Sequence, residues 1–97
     1  MNVLYTIDFD DTLNYTDKIE GMDYNPNLNM VEFCKGKQFV ILTARRDSES
    51  NRKYISGFLK SQNLPYVDMY FTGGELKAPV MDMLCSHSDI DKVVLVD

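Results

Sequence analysis

Long apolar runs are missing from this chain. None approaches the roughly 20 residues needed to cross a bilayer, which excludes a membrane-spanning helix. The N-terminal Met1-Asn2-Val3-Leu4-Tyr5 lacks a basic stretch followed by a long apolar one, so no signal peptide is expected. Cysteine is scarce. Two residues, Cys34 and Cys85, cannot form a framework of disulfides. Their apolar contexts predict reduced core thiols, and a cytoplasmic location is the expectation. The single histidine, His87, sits in Ser86-His87-Ser88-Asp89, with no Cys or His partner at metal-ligand spacing. It reads as a surface residue in a helix-to-strand turn. Internal repeats, linkers and low-complexity segments are absent.

Positive charge is scarce in the first third. Residues 1–33 hold one Lys, Lys18, against Asp8, Asp10, Asp11, Asp17, Glu20, Asp23 and Glu32. Residues 45–60 reverse the balance, with Arg45, Arg46, Arg52, Lys53 and Lys60 against Asp47 and Glu49. One region suits a cation and the other an anion. A net charge of −5 argues against a general nucleic-acid coat protein, because such binding rests on phosphate neutralisation. The rest is ordinary: 97 residues, 44% hydrophobic and 26% charged, as expected of one soluble domain with a modest core.

The apolar pattern alternates strand and helix. Val3–Ile7 is short and β-rich. Gln38–Leu42 and Lys92–Val96 read as strands buried on both faces. Tyr66–Phe71 is mixed and suits an edge strand. Asn25-Pro26 resembles the N-cap and first turn of a helix that uses Met30, Phe33 and Cys34 and stops at Gly36. Asp47 or Ser48 caps a second helix, with Tyr54, Ile55, Phe58 and Leu59 as its apolar stripe. A third starts near Glu75, tolerates Pro79 in its first turn and uses Val80, Met83 and Leu84. Residues 13–25 keep no period and read as an irregular turn or small hairpin overhanging the first strand. The expected fold is α/β: a single Rossmann-like three-layer domain over residues 1–97, with a mostly parallel sheet of about four strands. Such a sheet leaves an exposed edge through which an oligomer can form.

Ligands bind beyond the carboxyl ends of the strands in an open parallel sheet. After the first strand comes Asp8-Phe9-Asp10-Asp11-Thr12, and after the second Thr43-Ala44-Arg45. The third leads to Thr72-Gly73-Gly74 and then Lys77, and the fourth to Asp97. Clustered carboxylates repel one another unless a cation neutralises them, and Mg²⁺ prefers oxygen ligands and phosphate. An Asp carboxylate can accept a phosphoryl group. A second acid two residues on can protonate the leaving oxygen and then activate water. A hydroxyl and a Lys can hold charge on the equatorial oxygens. Each signal alone is weak; the ordered set at four strand ends is specific.

In that order these segments resemble the motifs of the haloacid-dehalogenase-like hydrolase superfamily. Leu4-Tyr5-Thr6-Ile7-Asp8-Phe9-Asp10-Asp11-Thr12-Leu13 looks like the first motif, Ile41-Leu42-Thr43 the second, Lys77 the third and Val93-Val94-Leu95-Val96-Asp97 the opening of the fourth. The resemblance implies Asp8 as nucleophile, Asp10 as acid/base, and Thr43 and Lys77 on the phosphate. It also implies Mg²⁺ held by Asp8, the main-chain carbonyl of Asp10, and Asp97. Thr12 and Arg45 join Thr43 and Lys77 as candidate substrate-binding residues. Asp10 to Thr43 spans 33 positions and Thr43 to Lys77 spans 34, which leaves no room for an ordinary cap domain. Thr43-Ala44-Arg45 and Gly74-Glu75-Leu76-Lys77 further resemble the 3′-phosphatase domain of polynucleotide kinase-phosphatases. There Arg45 would grip the substrate phosphate; its other reading is a pairing with a local acid.

One departure stands out. The superfamily's fourth motif usually carries a second acid close behind the first, and this sequence stops at Asp97. Either the natural chain continues, or this is a minimal version with a weakened metal site. The expected function is therefore a Mg²⁺-dependent phosphomonoesterase working through an aspartyl phosphate, on nucleotide or polynucleotide 3′-phosphate ends. The alternative is a catalytically weak or inactive module that binds a protein or nucleic-acid partner. A third is phosphotransfer to an acceptor other than water.

Overall fold

The computed structural model describes residues 2–97; Met1, the first residue of the N-terminal segment read above, lies outside them. Four strands and three helices alternate: β1 (Val3–Ile7), α1 (Leu28–Cys34), β2 (Phe39–Thr43), α2 (Glu49–Ser61), β3 (Met69–Phe71), α3 (Ala78–Cys85) and β4 (Lys92–Val96). The sheet order is β3-β2-β1-β4, and every pairing is parallel. The chain steps outward from β1 to β3, then returns across the sheet to place β4 on the free side of β1. The helices accordingly divide between the two faces. Ile7, Phe39 and Ile41 meet Val31 and Cys34 of α1 and Ile55, Phe58 and Leu59 of α2. Leu4 and Val40 meet Leu84 and Val80 of α3 on the other face. No described helix is long and apolar enough to cross a membrane.

The two faces are held unequally. Ile55, Phe58 and Leu59 of α2 are fully buried, and each contributes roughly 1.5–3 kcal/mol by leaving water. Of the residues of α3, Leu84 alone is fully buried. That thin cover corrects three expectations. Met83 faces outward, and Cys85 is exposed rather than a core thiol. β4 is an edge strand rather than one buried on both faces: Val93 packs under α3, while Leu95 on the same face stays open. A helix of two turns is too short to cover both. Cys34 is buried as expected, and burial pushes its thiol up to about 11.

Helix starts also moved. Asn27, not Asn25, caps α1, its side chain accepting from the Met30 N–H. Asn25 precedes a proline, which disfavours helical backbone at that residue, and its N–H is held by Asn14 Oδ1 at 2.7 Å. Gly36, in the left-handed region at φ +76°, ends α1 at the expected place. Ser48 caps α2, accepting from the Asn51 N–H at 3.1 Å. α3 begins at Ala78, three residues past Glu75, because Gly73 and Gly74 and a turn through Glu75 come first. β3 is confined to Met69–Phe71, the last half of the expected edge strand.

Candidate functional site

The first strand ends at a shared level with its neighbours. Ile7 is in register with Ile41 of β2 and Val96 of β4. The next residues, Asp8 and Asp97, therefore leave adjacent strands side by side, and the Asp8 N–H donates to the Val96 carbonyl at 3.0 Å. Lys77, at the N-cap of α3, reaches both. Its Nζ donates to Asp8 Oδ1 at 3.0 Å and lies 3.5 Å from Asp97 Oδ1. Thr12 Oγ1 donates a long bond, 3.4 Å, to Asp8 Oδ2. The Asp8 and Lys77 side chains are 19% and 20% exposed, against 60% for Asp97. Asp8 and Lys77 are thus partly withdrawn from water, which strengthens their attraction, while Asp97 stands at the rim.

Asp10 belongs to a second group. The Arg45 guanidinium takes it with both arms, Nε to Oδ2 at 2.9 Å and NH2 to Oδ1 at 2.8 Å. The third donor, NH1, is held by Asn51 Oδ1 at 2.9 Å. The guanidinium lies 5.1 Å from the Tyr54 ring centre and 5.5 Å from that of Phe9, a placement that favours Arg through both charge and planarity. Hydrogen bonding to Asp10 holds the Arg45 pKa above its ordinary value. Of its two readings, the pairing with a local acid is the arrangement present here. Thr43 is buried and its Oγ1 accepts from the Arg45 N–H at 3.2 Å. Just past β3, the Thr72 N–H donates to the Thr43 carbonyl at 2.9 Å, and the Thr72 hydroxyl is buried without a partner among the described residues.

The chain that follows Asp10 is bent back by one acceptor. The Phe9 carbonyl takes the N–H groups of Thr12, Leu13 and Asn14. Asp11 sits at φ +59°, which Asp tolerates better than most residues. Its carboxylate accepts from the N–H and the hydroxyl of Thr16, and these bonds hold its pKa below the usual carboxylate range. From there residues 15–25 run as an irregular strap, the overhang expected from the sequence. Buried Asn14 clips it, accepting from the Asn25 N–H and donating to Tyr54 Oη at 3.3 Å.

Asn51, Tyr54 and Asn14 were not singled out from the sequence. Asn51 had one weak signal, its place three residues after the Ser48 cap; Tyr54 read as core. The basic stretch also looks different in three dimensions. Arg52 is paired with Asp47 at 2.6 Å and covers the Phe71 ring. Lys60 lies eleven residues beyond Glu49 along α2, about 16 Å down the helix axis.

The oxygen donors suit a hard cation. Asp8 and Asp97 flank one ammonium, and no main-chain N–H of the described residues is paired with the Asp10 carbonyl. Among the described residues no group of three or more His, Cys, Asp or Glu could hold a metal. Asp8 and Asp97 are two carboxylate ligands at most, so an ion held here would have to take its remaining ligands from main-chain oxygen, water or phosphate. Comparison of the chain with protein-family models, with curated proteins and with solved structures gave no match.

Proposed function

We propose that this chain is a haloacid-dehalogenase-like, capless phosphomonoesterase in which Asp8 accepts the phosphoryl group. One observation carries the reading: the Lys77 ammonium lies between Asp8 and Asp97, with Thr12 on the far oxygen of Asp8. An attacking carboxylate, a cation for the phosphate and a rim carboxylate for a metal thus meet at the ends of adjacent strands.

Asp8 attacks phosphorus as the bond to the leaving oxygen breaks, and Asp10 gives that oxygen its proton. Water then attacks the aspartyl phosphate, Asp10 takes the proton, and phosphate departs with Asp8 restored. Lys77 and the Thr43 hydroxyl meet the equatorial oxygens. Mg²⁺, held by Asp8, Asp97 and the Asp10 carbonyl, would screen negative charge between nucleophile and phosphate. The capless reading draws on the intervals between motifs, which the strap, α1, α2 and β3 occupy. Action on polynucleotide ends has less support, because Arg45 and Arg52 are paired internally.

The test is phosphate release from p-nitrophenyl phosphate with and without Mg²⁺, for the wild type and Asp8→Asn. Turnover that needs Mg²⁺ and vanishes in Asp8→Asn is expected. A second reading, a binding module without turnover, draws on the Arg45 fork that occupies both oxygens of Asp10. Phosphate binding without release in the wild type would select it.

A further inference from the structure

The strap and Tyr54 of α2 line a cavity of about 130 Å³ that is open to solvent on one side. Its walls include Asp10, Tyr15, Ile19, Met22, Tyr24 and Tyr54. We propose that this cavity is the leaving-group site, and that it takes one uncharged aromatic ring, as in an aryl, benzyl or nucleoside monophosphate. The assignment rests on the phosphatase reading above, because it uses Asp10 as the acid.

Position comes first. The group that protonates the leaving oxygen must lie within hydrogen-bond reach of it. Asp10 forms part of the cavity wall while Asp8, Thr43 and Lys77 do not, so a leaving group bonded to that oxygen can reach the cavity past Asp10 without displacing the phosphate site.

Size and lining then narrow the class. The volume is close to the ~150 Å³ of an engineered cavity that takes up benzene. It is well below the ~300–1,000 Å³ of sites for drug-sized ligands. Three of the nine exposed large hydrophobic residues among those described, Tyr15, Ile19 and Met22, lie on this strap. The inner wall is set in advance. The Tyr24 hydroxyl donates to the Tyr54 carbonyl at 3.2 Å, and the two rings lie 5.1 Å apart. Fixed aromatic walls favour a flat apolar guest over a flexible polyol.

Charge excludes the longer substrate. Asp10, Asp17 and Asp23 line the cavity against Lys18 and Arg45, and Arg45 already serves Asp10. A second phosphate on the leaving group would face net negative charge here.

The experiment compares benzyl phosphate with ethyl phosphate, whose leaving alcohols are similar in acidity, so the ring is isolated. The wild type is expected to favour benzyl phosphate in kcat/KM by at least roughly tenfold, and adenosine monophosphate over adenosine 3′,5′-bisphosphate. Met22→Asp, at an exposed position, should collapse the benzyl-to-ethyl ratio toward one. In parallel, benzyl phosphate should shift the Met22 and Ile19 methyl NMR signals while ethyl phosphate does not. That readout works with or without turnover. Hydrolysis with equal rates on both esters, or hydrolysis with methyl signals unmoved by benzyl phosphate, would overturn the ring site and leave the phosphatase reading standing. Methyl shifts without any hydrolysis would overturn the phosphatase reading, and with it the leaving-group assignment, and leave a cavity that only binds a ring.

Discussion

A Cβ placed on Gly57 would come within 2.6 Å of the Tyr24 hydroxyl oxygen. The strap is therefore docked on α2 at a point where the helix carries no side chain. The Tyr24 ring cannot move away cheaply, since it also packs edge-on against Phe58 at 5.3 Å. The ring carbon bearing the hydroxyl stands at 3.9 Å, an ordinary contact.

Gly57→Ala sets two effects against each other. Alanine gains about 1 kcal/mol of helix propensity, while the displaced hydroxyl loses a bond worth about 1 kcal/mol and strains the ring. Gly57→Ala alone should leave stability level or lowered and speed amide exchange across residues 15–25. Adding Tyr24→Phe removes the clashing atom, so the double variant should be more stable than the sum of the single changes. A urea-unfolding cycle measures that coupling.

Asp10→Asn keeps the shape of the acid but cannot give or take the proton. It should slow kcat by roughly 10²–10⁴-fold while inorganic phosphate still binds. Steady-state kinetics together with phosphate titration checks this. An Asp10→Asn chain with wild-type kcat would remove Asp10 from the mechanism.

Asn14→Ala should be among the more damaging single changes outside the aliphatic core. It leaves the half-buried Asn25 N–H without its 2.7 Å acceptor and the Tyr54 hydroxyl without a donor. A cost of about 1–3 kcal/mol is expected, read as a lower urea midpoint.

Cys34 gives an alkaline signature. Its folded thiol is raised to about 11 from an ordinary 9.0, so the unfolded chain loses this proton first. The contribution is fully present below the unfolded value and is lost as pH rises through that window, by roughly 2 kcal/mol. Cys34→Ala should be less stable near neutrality but show a flatter decline. Unfolding curves at about pH 8 and about pH 10.5, taken on both chains, separate this thiol from the tyrosines and lysines that titrate alongside.

The sequence by itself determined the strands and most of the helices, because β1, β2 and α2 bury continuous or periodic apolar sets whose spacing admits one local structure. It also put Asp8 and Asp97 just past the ends of their strands, with Lys77 beyond the third, so that these three were legible as neighbours once the sheet was taken to be parallel; Thr43, read as following the second strand, is its last residue. Three things were decided only by the tertiary structure. Leu95 is open because α3 is too short to cover it, and Cys85, the last residue of α3, is exposed because no other element covers that end of the helix; the extent of cover is a relation between elements. Arg45 lies on Asp10 because two loops 35 residues apart meet, with Asn51 and the Tyr54 ring behind the guanidinium; no local pattern encodes that meeting. The strap lines a cavity because Asn14 and Tyr24 hold it against Tyr54 and Gly57 of α2. Polar side chains in an aperiodic segment carry no period to read, and their partners are chosen by distance in space.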